Sequence, residues 1–292
     1  MNGAEAVNVT SVVFAGGGNR CVWQAGFWTE AAPRLDLAPA RVAAASAGAA
    51  MACVLFAGRF AHALAHFKAA TGANRRNAYP ANWLRGQPVF PHWAMYRRAL
   101  LETIDAAALA HLHAGPDIVV PVTRKPAWLG TRAAFAVAGV ADTIEHAVAP
   151  TPHPRFAHRL GFRADYARVR DCATPEALAD LILASSCTPP FTPRLHYGGH
   201  PALDGGIADN VPVDAVGDGP TLILLTRPFR TLPVHSGRVY VQPSAPVPVS
   251  SWDYTDPAGL QAAFDLGRRD GEAFAAARWT RSSRFLRFPE FR

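Results

Sequence analysis

The feature that most constrains this fold is a run of 17 residues without a charge, from Val42 to Gly58, between Arg41 and Arg59. Such a run has to leave water, either in a membrane or in a protein core. It is slightly shorter than the roughly 20 residues that span a bilayer, and Ser46 and Gly48 interrupt it. We therefore interpret it as the end of a strand, a tight turn and a buried helix.

The first 70 residues alternate between strand and helix patterns. We predict a strand near residues 8–15, a helix to about Ala32 that Pro33 ends, a short strand ending at Ala45, and helices over Ala47–Gly58 and Arg59–Thr71. This β-α-β-α order predicts an α/β fold with a mostly parallel sheet covered on both faces. In a parallel sheet the turns that follow the strands share the carboxyl edge.

The rest of the chain is less regular. Residues 73–93 form an irregular aromatic loop, which suits a lid or binding surface as well as a packed surface excursion. Further predicted elements are a helix over Ala94–Ala110, strands over Ile118–Val122 and Ala133–Val137, a helix from Thr174-Pro175 to Ala184, strands over Thr221–Thr226 and Arg238–Gln242, and a last helix opened by Asp256-Pro257. No repeat or linker is evident, so a single domain over residues 1–292 is expected.

Composition limits the partners and the compartment. Lys plus Arg number 29 against 22 Asp plus Glu, a formal net charge of +7 that favours anionic surfaces or substrates. Nucleic-acid binding is not expected, since no helix-turn-helix, zinc-finger or aromatic-interleaved basic pattern occurs. The scattered cysteines Cys21, Cys53, Cys172 and Cys187 suit buried free thiols. The first residues lack a secretion signal, so a cytoplasmic protein is expected.

Three short motifs carry residues suited to acyl transfer. Gly16-Gly17-Gly18-Asn19-Arg20 follows an apolar strand, and Ser46-Ala47-Gly48 follows the next one. Asp204-Gly205-Gly206 lies farther along, with Asn210 and Pro212 behind it. Acyl transfer requires a nucleophile, a base and donors for an oxyanion, and each has a candidate here. By itself each motif also suits an ordinary structural turn.

Taken together and in this order, the three motifs resemble the patatin-like phospholipase family. The segment Ala184-Ser185-Ser186, leading to Pro189, Phe191 and Pro193, looks like the family's block before the aspartate. The resemblance covers roughly residues 8–215. A C-terminal helix and a basic aromatic tail, about residues 256–292, follow it.

The resemblance implies a three-layer α/β/α fold and a hydrolase that acts on acyl esters of lipids without a metal or organic cofactor. It implies that Ser46 is the nucleophile and that Asp204 activates it without a histidine. Gly16, Gly17, Gly18 and Arg20 would then form the oxyanion hole, and Ala44 and Gly48 would support the turn at Ser46. The family usually has glycine where this chain has Ala44. Because a methyl group disfavours positive φ, this departure predicts a slightly altered turn.

The histidines are considered for two roles, as a base for Ser46 and as metal ligands. His196 or His200 could approach Ser46 as the base of a conventional triad. A metal site is not expected, since His62 and His66 lack the intervening glutamate of a zinc protease motif and His111-Leu112-His113 has no evident third ligand.

Two other classes of protein remain as alternatives. A dinucleotide-binding protein would use Gly16 and Gly18 with Asp36 as the ribose-binding acid, although Cys21 occupies its third glycine position. A catalytically silent protein with the patatin fold would bind a lipid or a protein partner. The substrate is expected to be a phospholipid or another acyl ester, including a thioester. The tail, which mixes arginines with Trp279, Phe285 and Phe288, could contact an anionic membrane peripherally.

Overall fold

The computed structural model describes residues 9–130, 133, 134, 137, 151–153 and 156–277. The basic aromatic tail lies outside these residues. Within them eight strands form one mixed sheet, in which neighbours in the series β5-β6-β3-β2-β1-β7-β8 are hydrogen-bonded and β4 also pairs with β3. The strands are β1 (Ser11–Phe14), β2 (Arg41–Ala44), β3 (Asp117–Arg124), β4 (Arg163–Arg168), β5 (His196–Tyr197), β6 (His200–Leu203), β7 (Thr221–Leu224) and β8 (Arg238–Val241).

The centre of the sheet is parallel because helices cross over between its strands. β3, β2, β1, β7 and β8 run parallel, whereas β4 and β6 pair antiparallel with β3. Every residue of β1 and β7 is buried, as expected for strands covered on both faces. Val12 and Phe14 face one apolar cluster and Val13 faces another. The sheet is therefore the middle layer of a three-layer α/β/α fold.

Nine α-helices have both of their ends within the described residues. They are α1 (Val22–Leu35), α2 (Ala47–Phe56), α3 (Phe60–Ala73), α4 (His92–Thr103), α5 (Ala106–Ala114), α6 (Phe156–Arg159), α7 (Pro175–Ser185), α8 (Gly205–Asp209) and α9 (Pro257–Ala276). Short 3-10 helices cover Gly18–Cys21, Pro80–Arg85, Val169–Asp171 and Val213–Val216.

Helices α1 and α9 pack closely because glycines face each other's backbone. A Cβ on Gly26 would lie 2.1 Å from the carbonyl oxygen of Phe264, and one on Gly267 would lie 2.1 Å from that of Trp23. The indole N–H of Trp23 donates to the buried Asp270 carboxylate at 2.7 Å. This pairing fixes α1, which begins directly after the glycine motif.

Several predicted boundaries were wrong. Pro33 does not end α1 but lies in its last turn, where the helix continues without the hydrogen bond that proline cannot donate; Asp36, with a φ of 51°, ends the helix. The single helix predicted over Ala94–Ala110 is divided into α4 and α5, because the Asp105 carboxylate caps a new helix at the Ala108 N–H. Ala133, Ala134 and Val137 are helical rather than extended, and residues 135 and 136 lie outside the described part.

Two helix starts were predicted from a capping residue before a proline, and both are confirmed. The Thr174 hydroxyl accepts from the Ala177 N–H at 3.2 Å, and the Asp256 carboxylate accepts from the Gly259 N–H at 2.7 Å. All four cysteines are buried free thiols, as predicted. No helix in the described ranges is long and apolar enough to cross a membrane.

Candidate active site

Ser46 occupies a strained turn between β2 and α2. Its φ is 52° and its ψ is −130°, a region that costs a residue with a side chain on the order of 1–3 kcal/mol. Hydrogen bonds on both sides hold the turn, since Ala45 N–H donates to the Phe14 carbonyl at 3.1 Å and Gly48 N–H donates to the Ala45 carbonyl at 2.8 Å. The strain is therefore imposed by the surrounding structure.

Small residues let α2 begin directly against β1. A Cβ on Gly48 would lie 2.7 Å from the carbonyl oxygens of both Phe14 and Ala15, so only glycine fits there. Ala44 ends β2 and is buried. Asp36 and Ser46 are the only non-glycine residues with positive φ in the described part, so the methyl group of Ala44 causes no backbone strain.

Asp204 reaches Ser46 because two strands share one edge of β3. β4 occupies one edge, from Val119 to Arg124, and β2 pairs with the other edge up to Val119. β6 pairs with Thr123 and Arg124, so it lies on the same edge as β2 and beyond the end of that strand. Since β2 is parallel and β6 antiparallel to β3, their carboxyl ends point toward each other.

The residues that follow these two strand ends are hydrogen-bonded. The Ser46 hydroxyl donates to Asp204 Oδ2 at 2.6 Å, and the other carboxylate oxygen, Oδ1, accepts from the Gly206 N–H at 2.8 Å. The Asp204 N–H donates to the Cys187 carbonyl at 2.8 Å. Hydrogen bonds at the Asp204 N–H and at Oδ1 thus hold the residue in place, and Oδ2 is directed at the serine.

Ser185 supports the turn from the opposite side. Its hydroxyl accepts from the Ser46 N–H at 3.0 Å and donates to the Pro121 carbonyl at 2.7 Å. The hydroxyl therefore links the nucleophile's backbone to β3. The sequence indicated the segment that contains Ser185 but no role for this residue.

Side chains bind two backbone carbonyls of the glycine motif. The Thr226 hydroxyl donates to the Gly16 carbonyl at 2.8 Å, and Arg20 Nε donates to the Gly17 carbonyl at 3.3 Å. In a trans peptide the carbonyl and the following N–H point in opposite directions. The N–H groups of Gly17 and Gly18 are therefore directed away from Thr226 and Arg20.

Gly16 has a different role. Its N–H donates to the Asn210 carbonyl at 3.2 Å, so this donor is used within the protein. A Cβ on Gly16 would lie 2.5 Å from the Asn210 side-chain oxygen and 3.4 Å from the Ser46 Cβ. Gly16 is thus the place where the glycine motif, the serine turn and the segment after Asp204 meet. Thr226 and Asn210 could not be recognised as partners of this loop from spacing alone.

Beside the glycine motif lies a cavity of about 340 Å³. Two cations and three hydroxyl groups contribute to its lining, and no acid does; these residues are Arg20, Arg227, Thr226, Ser250 and Ser251. Trp252 closes one side, and its ring stacks on Phe191 with the centroids 5.3 Å apart. Pro228, Pro246, Val247 and Val249 complete the lining, so the cavity has both polar and apolar walls.

The two histidines considered as alternative bases for Ser46 lie at the surface. His196 and His200 are exposed, and His200 begins the strand that Leu203 ends, about 10 Å away along β6. His92 is instead buried, and its Nε2 lies 2.9 Å from the Trp252 carbonyl. Burial lowers the pKa of His92, and this loss of hydration outweighs its hydrogen bond and the nearby Asp253.

The placement of Asp36 contradicts the dinucleotide-binding alternative. This residue caps the C-terminus of α1 and precedes β2, so it lies at the amino edge of the sheet. The glycine motif lies at the carboxyl edge, about 21 Å away along the 14-residue helix.

The described residues also contain no group of three side chains that could hold a metal ion.

The site has relatives among known proteins. The model of the patatin-like phospholipase family matches residues 12–216, whereas no curated protein matches the chain. Among solved structures, VipD from Legionella pneumophila aligns with 92% of this chain and 67% of its own, at 11% identity and a TM-score of 0.45. The family match covers more than half of the chain and contains all three motifs. The chain therefore belongs to the patatin-like phospholipase family, a family of lipid acyl hydrolases.

Proposed function

We propose that the protein hydrolyses acyl esters of lipids, phospholipids among them, with Ser46 as nucleophile and Asp204 as its base. The observation that carries this proposal is the 2.6 Å hydrogen bond from the Ser46 hydroxyl to Asp204 Oδ2. A serine hydroxyl attacks an ester only when a base within hydrogen-bond reach takes its proton. Asp204 meets this requirement.

In the proposed first step the Ser46 oxygen forms a bond to the ester carbonyl carbon while its proton moves to Asp204. The carbonyl oxygen becomes an oxyanion, which the N–H groups of Gly17 and Gly18 stabilise. Oxyanion donors are typically worth about 10²–10³ in rate each. Because the Gly16 N–H is bound to Asn210, we assign the donor role to the second and third glycines and a supporting role to the first.

In the second step the carbon–oxygen bond to the leaving alcohol breaks, and the alcohol takes the proton from Asp204. The acyl group stays on Ser46. Water then attacks this acyl-enzyme and gives its proton to Asp204, and the fatty acid leaves as the proton returns to the Ser46 oxygen. No metal or organic cofactor takes part in this sequence.

The test is covalent labelling with a fluorophosphonate, followed by intact mass and peptide mapping. We expect one adduct on Ser46, none in Ser46→Ala, and slower labelling in Asp204→Asn. The expected loss of ester turnover in Asp204→Asn is about 10²–10⁴-fold. Asp209→Asn is the matched control. Asp204 caps the start of α8 and Asp209 ends this helix, but the Asp209 carboxylate accepts from the Tyr166 hydroxyl.

Failure of labelling in folded protein would contradict the proposal that the chain is a hydrolase. The chain would then be better described as a binding domain that keeps the patatin fold. If labelling succeeds, comparing phospholipids with neutral glycerides, thioesters and alcohol acceptors will define the substrate.

A further inference from the structure

Two adjacent apolar side chains stand out from the surface on the loop between α3 and α4. Trp83 is 76% exposed and Leu84 is 81% exposed. Both lie on the 3-10 helix Pro80–Arg85. Contiguous exposed apolar groups of this size mark interaction surfaces more often than chance. We refer to residues 79–89 as the Trp83 loop.

The shape of the Trp83 loop is held by its own hydrogen bonds. Tyr79 N–H donates to the Val89 carbonyl at 2.7 Å and closes the base. Asn82 contributes twice, since its side chain donates to the Pro88 carbonyl at 3.1 Å and its carbonyl accepts from Gln87 N–H at 2.9 Å. The loop therefore presents its two apolar side chains in a fixed arrangement rather than folding them inward.

The segments that flank the Trp83 loop are fastened to the wall of the candidate active site. The Asn77 side chain donates to Asp253 at 2.9 Å and accepts from Tyr254 N–H at 2.7 Å. On the other side Phe90 contacts Phe191, with ring centroids 4.7 Å apart, and Phe191 stacks on Trp252. The neighbouring Ser251 carbonyl accepts from Asn19 N–H of the glycine motif. The loop thus lies at the edge of the sheet that holds Ser46.

The charge around the loop is entirely positive in sequence. Arg75, Arg76 and Arg85 are exposed, and no Asp or Glu occurs from residue 37 to residue 101. Asp253, which approaches from the facing segment, is bound to Asn77 and Thr255. Tryptophan favours the boundary between lipid headgroups and acyl chains, and arginines near it attract anionic headgroups.

We propose that the Trp83 loop docks the protein on an anionic lipid surface. Trp83 and Leu84 enter the boundary between headgroups and acyl chains, and Arg75, Arg76 and Arg85 contact lipid phosphates. A second copy of the same face fits poorly, because its arginines would repel these. The docked orientation turns the carboxyl edge of the sheet, with Ser46 and the glycine motif, toward the bilayer.

The test is vesicle sedimentation of the full chain carrying Ser46→Ala, so that lipid is not consumed. Vesicles of phosphatidylcholine are compared with vesicles that also contain phosphatidylglycerol. We expect preferential binding to the anionic vesicles, and a loss of at least about tenfold in affinity when Trp83→Ser and Leu84→Ser are combined, because two large apolar groups no longer leave water. Replacing the three arginines with glutamine should weaken binding and flatten its salt dependence.

Val234→Ser is the matched control. Val234 is 73% exposed but lies four residues before β8, near the amino edge of the sheet. We expect its variant to bind vesicles like the parent chain. Circular dichroism and thermal unfolding establish that the variants are folded.

Three results would overturn the proposal: unchanged vesicle binding in the Trp83→Ser, Leu84→Ser chain, equal binding to both vesicle types, or a dimer in solution that the same double change dissolves. The outcome is separable from that of the proposed function, since binding is measured without an active serine. With Ser46 intact, the double variant should hydrolyse a short-chain ester in free solution at the parental rate.

Discussion

Ser46 follows β2 and Asp204 follows β6, two strands whose carboxyl ends point toward each other along one edge of β3. Their side chains form a 2.6 Å hydrogen bond. Their separation of 158 positions in the chain does not by itself bring them together. Precision comes from β3, which binds both strands, and from Ser185, which ties the serine turn to Pro121.

Ser46→Gly should be more stable than Ser46→Ala by about 1 kcal/mol, although both lack the hydroxyl. Glycine reaches a φ of 52° without the steric cost that alanine has, and this gain exceeds the entropy that it loses on folding. Urea unfolding of the two variants measures the difference. Equal stabilities would mean that the turn is not strained.

Thr226→Val should lower kcat for ester hydrolysis by about tenfold or more and leave KM nearly unchanged. The Thr226 hydroxyl holds the Gly16 carbonyl, and its loss allows the Gly17 N–H to turn away from the oxyanion. Steady-state kinetics and the fluorophosphonate labelling rate should fall together. Thr226→Ser retains the hydroxyl and should restore most of the rate, whereas equal losses in both variants would assign Thr226 a packing role.

Ser185→Ala should destabilise the fold by about 1–3 kcal/mol, because it leaves the Ser46 N–H and the Pro121 carbonyl without their buried partner. Ser186→Ala is the comparison variant, since the Ser186 hydroxyl is also buried but interacts with the Tyr96 hydroxyl rather than with Ser46 or Pro121. Thermal unfolding of both variants gives the comparison. A larger loss in Ser186→Ala would contradict the assignment.

The free energy of unfolding should decrease as the pH falls below the usual histidine range. Burial lowers the pKa of His92, so the unfolded chain takes up this proton at a higher pH than the folded protein. The stability that neutral His92 contributes is therefore present above the unfolded pKa and is lost as the pH falls toward the folded pKa. His92→Gln should reduce this slope in denaturant unfolding measured across the acidic range. An identical slope in the variant would exclude His92 as its source.

The four thiols should react slowly with a thiol reagent in the native protein and rapidly after unfolding. All four are buried, and burial raises the pKa of Cys21 and of Cys53 far above the usual thiol range, while that of Cys172 rises to about 11. Thiolate is the reactive form, so native protein offers little of it. Absorbance of the released reagent counts the reactive groups. A thiol that reacts at once in folded protein would mean that its neighbourhood opens.

Local patterns predicted the parts of the fold that depend on neighbouring residues. The alternation of apolar strands with alanine-rich helices indicated the parallel sheet, and a capping residue before proline indicated the starts of α7 and α9. The end of α1 was misplaced because the helix packs on α9 and continues past Pro33, although proline lacks the N–H that would continue the hydrogen-bond pattern. The hairpin of β5 and β6 had no apolar alternation long enough to be recognised.

The sequence by itself determined the chemistry that is available, because a serine between small residues, a glycine run after a strand and an aspartate before two glycines are local features. It also determined that β2 ends in a turn, since the uncharged run around Ser46 is too short and too interrupted for a membrane span. Only the tertiary structure decided which of these groups meet. The antiparallel entry of β6 beside β3 brings Asp204 to Ser46, and Thr226 and Asn210 orient the glycine motif. These contacts join residues far apart in the chain, so their energies depend on the completed sheet and leave no periodic signal in the sequence.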